Sequence, residues 1–543
     1  MSDYGKGDVY NIEEERRVIE TLIRNALILD GTGGRPRSGS IGISSSGRIA
    51  FVGRDIPGSN AHRVIEAEGL HALPGFVDIH SHSDLAVLDN DKASPKLMQG
   101  VTTEIVGNCG LSVVPVSPEN RKEWAAQYEG VWGKLGRGWN WVSLGEYLEI
   151  LQQRGLQVNL GSQVGFGAIR LAALGWQSRP ASSQEIRHME ELTRRASREG
   201  SFGLSFGLVY APACYAARRE LKSVSRAAAQ EDMLLNFHIR SEGETLLESI
   251  QEAIEIASFS GARLHISHLK AFGRENWNKT DRLLELIREC GLDITFDVYP
   301  YSVGSTTLNA ALPPWVLEGG TEMMLRRLGS KEIRDRIRED IHHGIEGWEN
   351  YLRATGAGGL MVTNLRSPGF RDFDSRFLAD IMKETRRDEV DTLCDIILAE
   401  GGRASMLMHA MSEESVTRIL ADQRSMLGTD GLYGGMPHPR LYGTYPTFFR
   451  KYILEKRIMP LEEGVRKATG YPASRFGIKG KGLIKEGYDA DILIIDMGRF
   501  DSPAGFGDSM RYAEGVEYVL VNGRVVVENG EYNNRLAGRV LRR

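Results

Sequence analysis

Two histidines one residue apart, His80 and His82, close the apolar run PGFVDIHSH that begins at Pro74. In a β-strand, residues i and i+2 point to the same side. The two imidazoles would therefore stand side by side at a strand end, as half of a metal site. Cys109 closes a second short run, VTTEIVGNC from Val101. Its setting between Gly107-Asn108 and Gly110 reads as a turn that presents the thiol. Imidazole and thiolate together suit zinc. Further reactive residues end later apolar runs: His238 in MLLNFH, His265 and His268 in RLHISHLK, and Asp430 in SMLGTDG. His265 and His268 are three apart, so on one strand they face opposite ways. His268, nearer the end, is expected in the site, and His265 behind it.

Residues this far apart can meet only if the fold gathers strand ends. Apolar strands are expected at 75–80, 103–107, 157–164, 203–208, 233–239, 262–268, 292–298, 404–409 and 425–429. Helical patterns alternate with them, such as SSQEIRHMEELTRRASREG and GETLLESIQEAIEIASFSG, the latter ending at Gly261. This alternation predicts a parallel α/β barrel or a doubly wound sheet. In a barrel, the C-terminal strand ends form one mouth, where active sites lie. Nine strands are one more than an eight-stranded barrel needs. The surplus is assigned to an inserted segment at about 305–400, rich in charged helices and without a clear strand rhythm until 404. His409, at the end of the 404–409 run, is read as belonging to that extra unit. Both chain ends carry short β-like runs with glycine turns, including Asn522-Gly523. The expected division is an unstructured tail over 1–18, a small β domain from 19–72 plus 475–543, and a barrel over 73–474.

The 543 residues are 41% hydrophobic and 26% charged, an ordinary globular composition. A net charge of -5 points to neither a nucleic-acid nor a membrane partner. No apolar run approaches the ~20 residues of a membrane span. Four widely spaced cysteines argue against a disulfide framework, and the start has no signal-peptide layout, so a cytoplasmic location is expected. Oligomerisation stays open, with exposed strand edges as one route.

The His-x-His motif, the later single histidines and the closing aspartate resemble the amidohydrolase superfamily. Within it, PGFVDIHSH, QGVTTEIVGNCG, FHIRSE, ISHLK, DVYPYSVGSTTL, LGTDG and HPRLYGTYP resemble the N-acyl-D-amino-acid deacylases (D-aminoacylases) over roughly residues 20–540. The resemblance implies an α/β fold: a metal-dependent TIM-like (β/α)8 barrel, a small β-sandwich domain built from both chain termini, and an insertion near strands 7–8. It implies that Cys109, His238 and His268 hold a tight Zn2+, with His80 and His82 at a second, weaker or empty site. Asp430 would be the general base and acid. Arg440 would anchor the substrate carboxylate, and Tyr210, Lys270, Tyr299 and Ser305 would line the pocket. The partner implied is a small-molecule N-acyl amino acid.

Many relatives bridge two metals with a modified lysine on the fourth strand. The fourth candidate strand, FGLSFG at 202–207, has none. This speaks against a hydantoinase- or dihydroorotase-like cyclic-amide hydrolase, the main alternative. A non-catalytic scaffold is the third reading, and no expected metal ligand is missing to favour it. No Gly-x-Ser-x-Gly elbow offers a competing nucleophile.

Overall fold

The structure, a computed structural model, describes residues 19–54, 61–89, 94–134 and 138–543. The tail expected over 1–18 lies outside the described residues.

Three parallel strands, Phe76–Asp78, Val101–Val106 and Asn159–Ser162, form one sheet. Six more parallel strands form a second, in the order Val164–Gly165, Gly203–Gly207, Leu234–His238, Leu264–Ile266, Ile294–Val298 and Ser425–Leu427. One residue separates the two sheets at 162–164. At the opposite margins, Ser81 bridges Gly431 in parallel, and Asp430 N donates to His80 O at 2.8 Å. Strand segments such as ITFDV and LLNFH are buried along their whole length. Parallel sheets are covered on both faces, which is why these strands carry apolar residues without strict alternation. Phe206 and Phe237 stack at 4.2 Å between neighbouring strands.

Amphipathic helices follow the strands. The helix Ser183–Arg198 starts at a capping box between Ser182 and Glu185, which satisfies backbone N–H groups that have no intrahelical partner. The helix Leu246–Ser260 ends on Gly261 in the left-handed conformation, as its sequence predicts. Among the described residues no helix is long and apolar enough to cross a membrane.

The two chain ends share a nine-stranded sheet. His71–Pro74 pairs in parallel with Ile19–Ile28 on one side and antiparallel with Ile492–Ile495 on the other. Val516–Val521 and Arg524–Glu528 are joined at Asn522-Gly523, both at positive φ, as a type I′ hairpin turn requires.

A fourth sheet, antiparallel, lies apart from the parallel strands: Val303–Thr307, Ser405–His409, Leu360–Thr363 and Arg376–Phe377. The ninth strand expected from sequence is found here. Three of these strands fall where no strand rhythm was legible. They are short, and VGSTT carries little apolar signal, so pairing with distant Ser405–His409 rather than local pattern makes it a strand. His409 is exposed at the end of its strand, beside Phe377 and Phe506, and does not reach the site.

Candidate metal centre and substrate cleft

Three of the residues singled out from sequence hold backbone conformations that L-residues rarely adopt. Cys109 has φ +53°, His268 +35° and Asp430 +49°. Such strain persists only where the surroundings over-determine it, and it clusters at functional sites. The surroundings of Cys109 are explicit. Gly110 N donates to Ser205 Oγ at 3.1 Å, and Asn108 Nδ2 donates to Ile105 O at 2.8 Å and Ser81 O at 3.2 Å. Gly207 packs so closely that a Cβ there would stand 1.8 Å from Cys109 O. Strand Leu264–Ile266 ends two residues before His268, so strand parity does not aim that side chain. The positive φ does, together with Asp297 Oδ1, which accepts His268 N at 3.0 Å.

Two sets of buried donor atoms result, each within 4.8 Å of one another: Cys109, His238 and His268; and His80, His82, Cys109 and Asp430. In the first, His268 Nε2 lies 3.0 Å from His238 Nδ1 and 3.4 Å from Cys109 Sγ. Two nitrogens on one tetrahedral zinc stand about 3.3 Å apart, and a nitrogen and a sulfur about 3.5 Å. In the second set, His80 Nε2 is 3.2 Å from Cys109 Sγ, and His82 Nε2 is 3.2 Å from Asp430 Oδ1. His238 Nε2 and His82 Nδ1 are buried without a hydrogen-bond partner. The donor types and their spacing fit a divalent metal.

The charges agree. Burial opposes ionisation of Cys109, yet His80 and His268 hold its thiol well below the usual range. Burial likewise opposes ionised Asp430, but Arg440, His80 and His268 hold its carboxyl well below normal. His238 is pushed down by burial and by His268, which favours the neutral imidazole that binds metal.

A supporting layer of carboxylates fixes the imidazoles. Asp297 lies 3.0 Å from both His80 Nδ1 and His265 Nε2. His265 also meets Thr295 Oγ1 at 2.7 Å, so it stands behind the site as a prop for Asp297. Glu242 Oε1 lies 2.9 Å from His268 Nδ1 and accepts Lys270 Nζ at 2.6 Å. Against burial, Lys270 first and then His268 hold the Glu242 carboxyl down at about 2. Such partners orient metal-binding histidines and set their tautomers.

Beside the donors lies a cleft. Its walls include His82, Cys109, Tyr210, His238, His268, Lys270, Tyr299, Ser305 and Asp430, with Leu111, Val131, Phe272, Tyr351, Met408 and Leu432 as apolar surface. His80 is fully buried beneath it. Arg440 is also fully buried: Nη2 donates to Asp430 Oδ2 at 3.0 Å and to Ser305 O at 3.3 Å, and the guanidinium lies 4.5 Å from the Tyr299 ring. Its Nε and Nη1 have no partner. Lys270 is committed to Glu242 and His268 rather than free in the cleft. Tyr210 Oη and Thr306 Oγ1 are hydrogen-bonded at 2.8 Å. Gly434 and Gly435 are packed against Gly130 and Asn364, and Tyr433 N donates to Val131 O at 2.8 Å.

Sequence reasoning missed Glu242, Asp297 and His438. Asp297 had a signal: it alternates with Ile294, Phe296 and Val298 and shares a face with Thr295. His438 had none. Its Nδ1 accepts Arg440 N at 2.9 Å while Nε2 donates to Val303 O at 3.0 Å, so it sets the backbone that carries Arg440.

Comparison with known proteins agrees with this geometry. A family model described as Amidohydrolase family matches residues 63–280 and 403–527. The chain is 29% identical to a D-aminoacylase of Alcaligenes xylosoxydans xylosoxydans over 534 residues, covering 98% of this chain and 99% of the relative. It superposes with TM-score 0.81 on a D-aminoacylase structure, described for the functional role of its binuclear metal centre, at 29% identity over 97% of this chain and 100% of that one. An N-acyl-D-glutamate deacylase from Bordetella bronchiseptica, complexed with zinc and a phosphonate mimic of the tetrahedral intermediate, gives TM-score 0.81 at 28% identity over 97% of this chain and 100% of that one.

Proposed function

We propose, from the premise that this chain belongs to the amidohydrolase family and within it to the N-acyl-D-amino-acid deacylases, that it hydrolyses the amide bond of N-acyl-D-amino acids with zinc. The observation that carries this reading is the convergence of two buried donor sets on Cys109, with Asp430 and two unpaired Arg440 donors beside them. In this reading the two parallel sheets form one (β/α)8 barrel over 73–474, with a β-sandwich from 19–72 and 475–543 and an insertion at about 305–400.

Cys109, His238 and His268 would hold the tight zinc, and His80 and His82 a second, weaker one. Bound zinc supplies a Lewis acid that polarises the amide carbonyl and brings the pKa of water to ~7. Asp430 is held ionised by its neighbours. It takes the proton of the attacking water and returns it to the leaving nitrogen. Arg440 receives the substrate carboxylate in this reading: its Nε and Nη1 have no partner, and a guanidinium suits a carboxylate. Because Nη2 is tied to Asp430, carboxylate binding and the base share one rigid unit. Tyr210, Lys270, Tyr299 and Ser305 shape the cleft around the acyl and side-chain groups. Glu242 and Asp297 keep His268 and His80 facing the metal.

Strand Gly203–Gly207, the fourth expected from sequence, carries no lysine, which supports a linear over a cyclic amide. A panel of D- and L-enantiomers of N-acetyl amino acids, with hydantoin and dihydroorotate, tests the reading. Turnover of the D series alone is expected. Turnover confined to the cyclic amides would overturn it.

A further inference from the structure

Beneath His80 and Asp430 lies a buried ionic cluster that the proposed reaction does not use. Lys96, from the short helical turn before strand Val101–Val106, is fully buried. Its ammonium meets three acceptors: Asp78 Oδ2, Ser81 Oγ at 2.9 Å and Thr429 Oγ1 at 2.6 Å. An ammonium has three hydrogens, so its hydrogen-bonding capacity is filled. Asp78 completes the knot. Oδ1 accepts His80 N at 3.2 Å and Thr429 N at 3.0 Å, and Oδ2 also accepts Thr429 Oγ1 at 2.7 Å. Thr429 Oγ1 in turn accepts Gly431 N at 3.1 Å.

The members are not scattered. Asp78 precedes His80, Ser81 lies between His80 and His82, and Thr429 and Gly431 flank Asp430. One lysine thus ties the segment bearing the histidine pair to the segment bearing the aspartate, where an isolated bridge joins the margins of the two parallel sheets. Burying a lysine and a carboxylate is expensive, and apolar residues of like volume often stabilise as well. What such residues lack is three directed donors from one point. Asp430 sits at φ +49°, with Oδ1 3.2 Å from His82 Nε2 and 3.5 Å from His80 Nε2, while Arg440 holds Oδ2 from the other side.

We propose that Lys96, acting through Asp78 and Thr429, is a positioning residue that sets the Asp430 carboxylate against the His80–His82 pair. The proposal rests on the reading of Asp430 as the base. It does not extend to Cys109, His238 and His268, which Lys96 does not touch.

The test is a double-mutant cycle on the full-length zinc-loaded enzyme with an N-acetyl-D-amino acid. Lys96→Met is expected to lower kcat by about 10–100-fold, the usual size for a residue one step removed from a metal site, with KM changed by less than about twofold. In an Asp430→Asn background, read at high enzyme concentration, Lys96→Met is expected to cost nothing further. Thr429→Val keeps the Lys96–Asp78 pair and is expected to follow the same pattern at smaller size. It carries the test if Lys96→Met does not fold. Equal losses in both backgrounds would mark a merely structural role and overturn the proposal. So would an unchanged kcat in Lys96→Met while Asp430→Asn is inactive. If Asp430→Asn itself kept full turnover, the base assignment would fall and this proposal with it.

Discussion

Replacing Asp297 by asparagine and by alanine separates its charge from its hydrogen bonds. The carboxylate serves three groups: His80 Nδ1, His265 Nε2 and His268 N. Asparagine can keep its oxygen at the Oδ1 position, where it still accepts from His80 and His268 N. Its amide would then face His265 Nε2. That nitrogen can accept, because His265 Nδ1 can donate to Thr295 Oγ1, 2.7 Å away. All three groups stay paired and only the charge is lost. A charge-assisted bond contributes ~1.5–3 kcal/mol against ~1 kcal/mol for a neutral one, so each of the three bonds should lose ~0.5–2 kcal/mol in Asp297→Asn. Alanine leaves three buried groups unpaired at ~1–3 kcal/mol each, so Asp297→Ala should cost ~3–9 kcal/mol, more than Asp297→Asn because nothing replaces the lost acceptors. Metal binding should respond differently. His80 loses its anionic partner in both variants, so the affinity of the second site should fall ~10–100-fold even in Asp297→Asn. Chelator competition read by metal analysis, beside denaturant unfolding, measures both quantities. Equal stability of the two variants, or an Asp297→Asn that binds both metals as the parent does, would refute the reasoning.

Other outcomes follow from the same geometry. Arg440→Lys removes two guanidinium donors, Nε and Nη1, that have no protein partner, so kcat/KM should fall about 10–100-fold, chiefly through KM, in steady-state kinetics. Gly207→Ala would place a Cβ 1.8 Å from Cys109 O, and should abolish tight zinc binding while far-UV circular dichroism keeps its shape. Glu349 accepts Glu242 N at 2.6 Å and Gly243 N at 3.0 Å, and burial pushes its carboxyl up to about 7. The folded state therefore holds a proton that the unfolded chain releases near pH ~4.3. Stability attributable to this group falls as pH rises from there to about 7, then levels. Glu349→Gln, whose carbonyl can accept the same two N–H groups, should be more stable than the parent at pH 8 by on the order of 2 kcal/mol and no different at the low end of that window, by denaturant unfolding.

How far the sequence carried this picture depended on whether a residue's neighbours were local. Most parallel strands were legible because they are apolar runs, several of them followed by an amphipathic helix. Strands 303–307, 360–363 and 376–377 were not, since their pairing partners are distant and their own pattern is weak. His80, His82, Cys109, His238, His268 and Asp430 stood out because each ends such a run, and the structure does bring them together. The reason given for His268 was incomplete. Its strand stops at Ile266, and a left-handed backbone turns the ring inward instead. Lys270 read as a cleft cation, but Glu242, hidden in the polar run RSEGE, engages it. Lys96 and His438 could not be read at all. Thr429, which Lys96 holds, and Val303, which His438 holds, lie more than 300 and about 135 positions away respectively, so only the folded chain reveals these links.

The central claim is that Cys109, not the His80–His82 pair alone, anchors the metal that hydrolysis depends on. Zinc per chain by mass spectrometry, after dialysis against a weak chelator, tests it in the parent, Cys109→Ala and His80→Ala. The account predicts that Cys109→Ala retains no tight zinc and no deacylase activity, whereas His80→Ala keeps one zinc. A Cys109→Ala protein that held its zinc, beside a His80→Ala protein that lost it, would contradict the assignment.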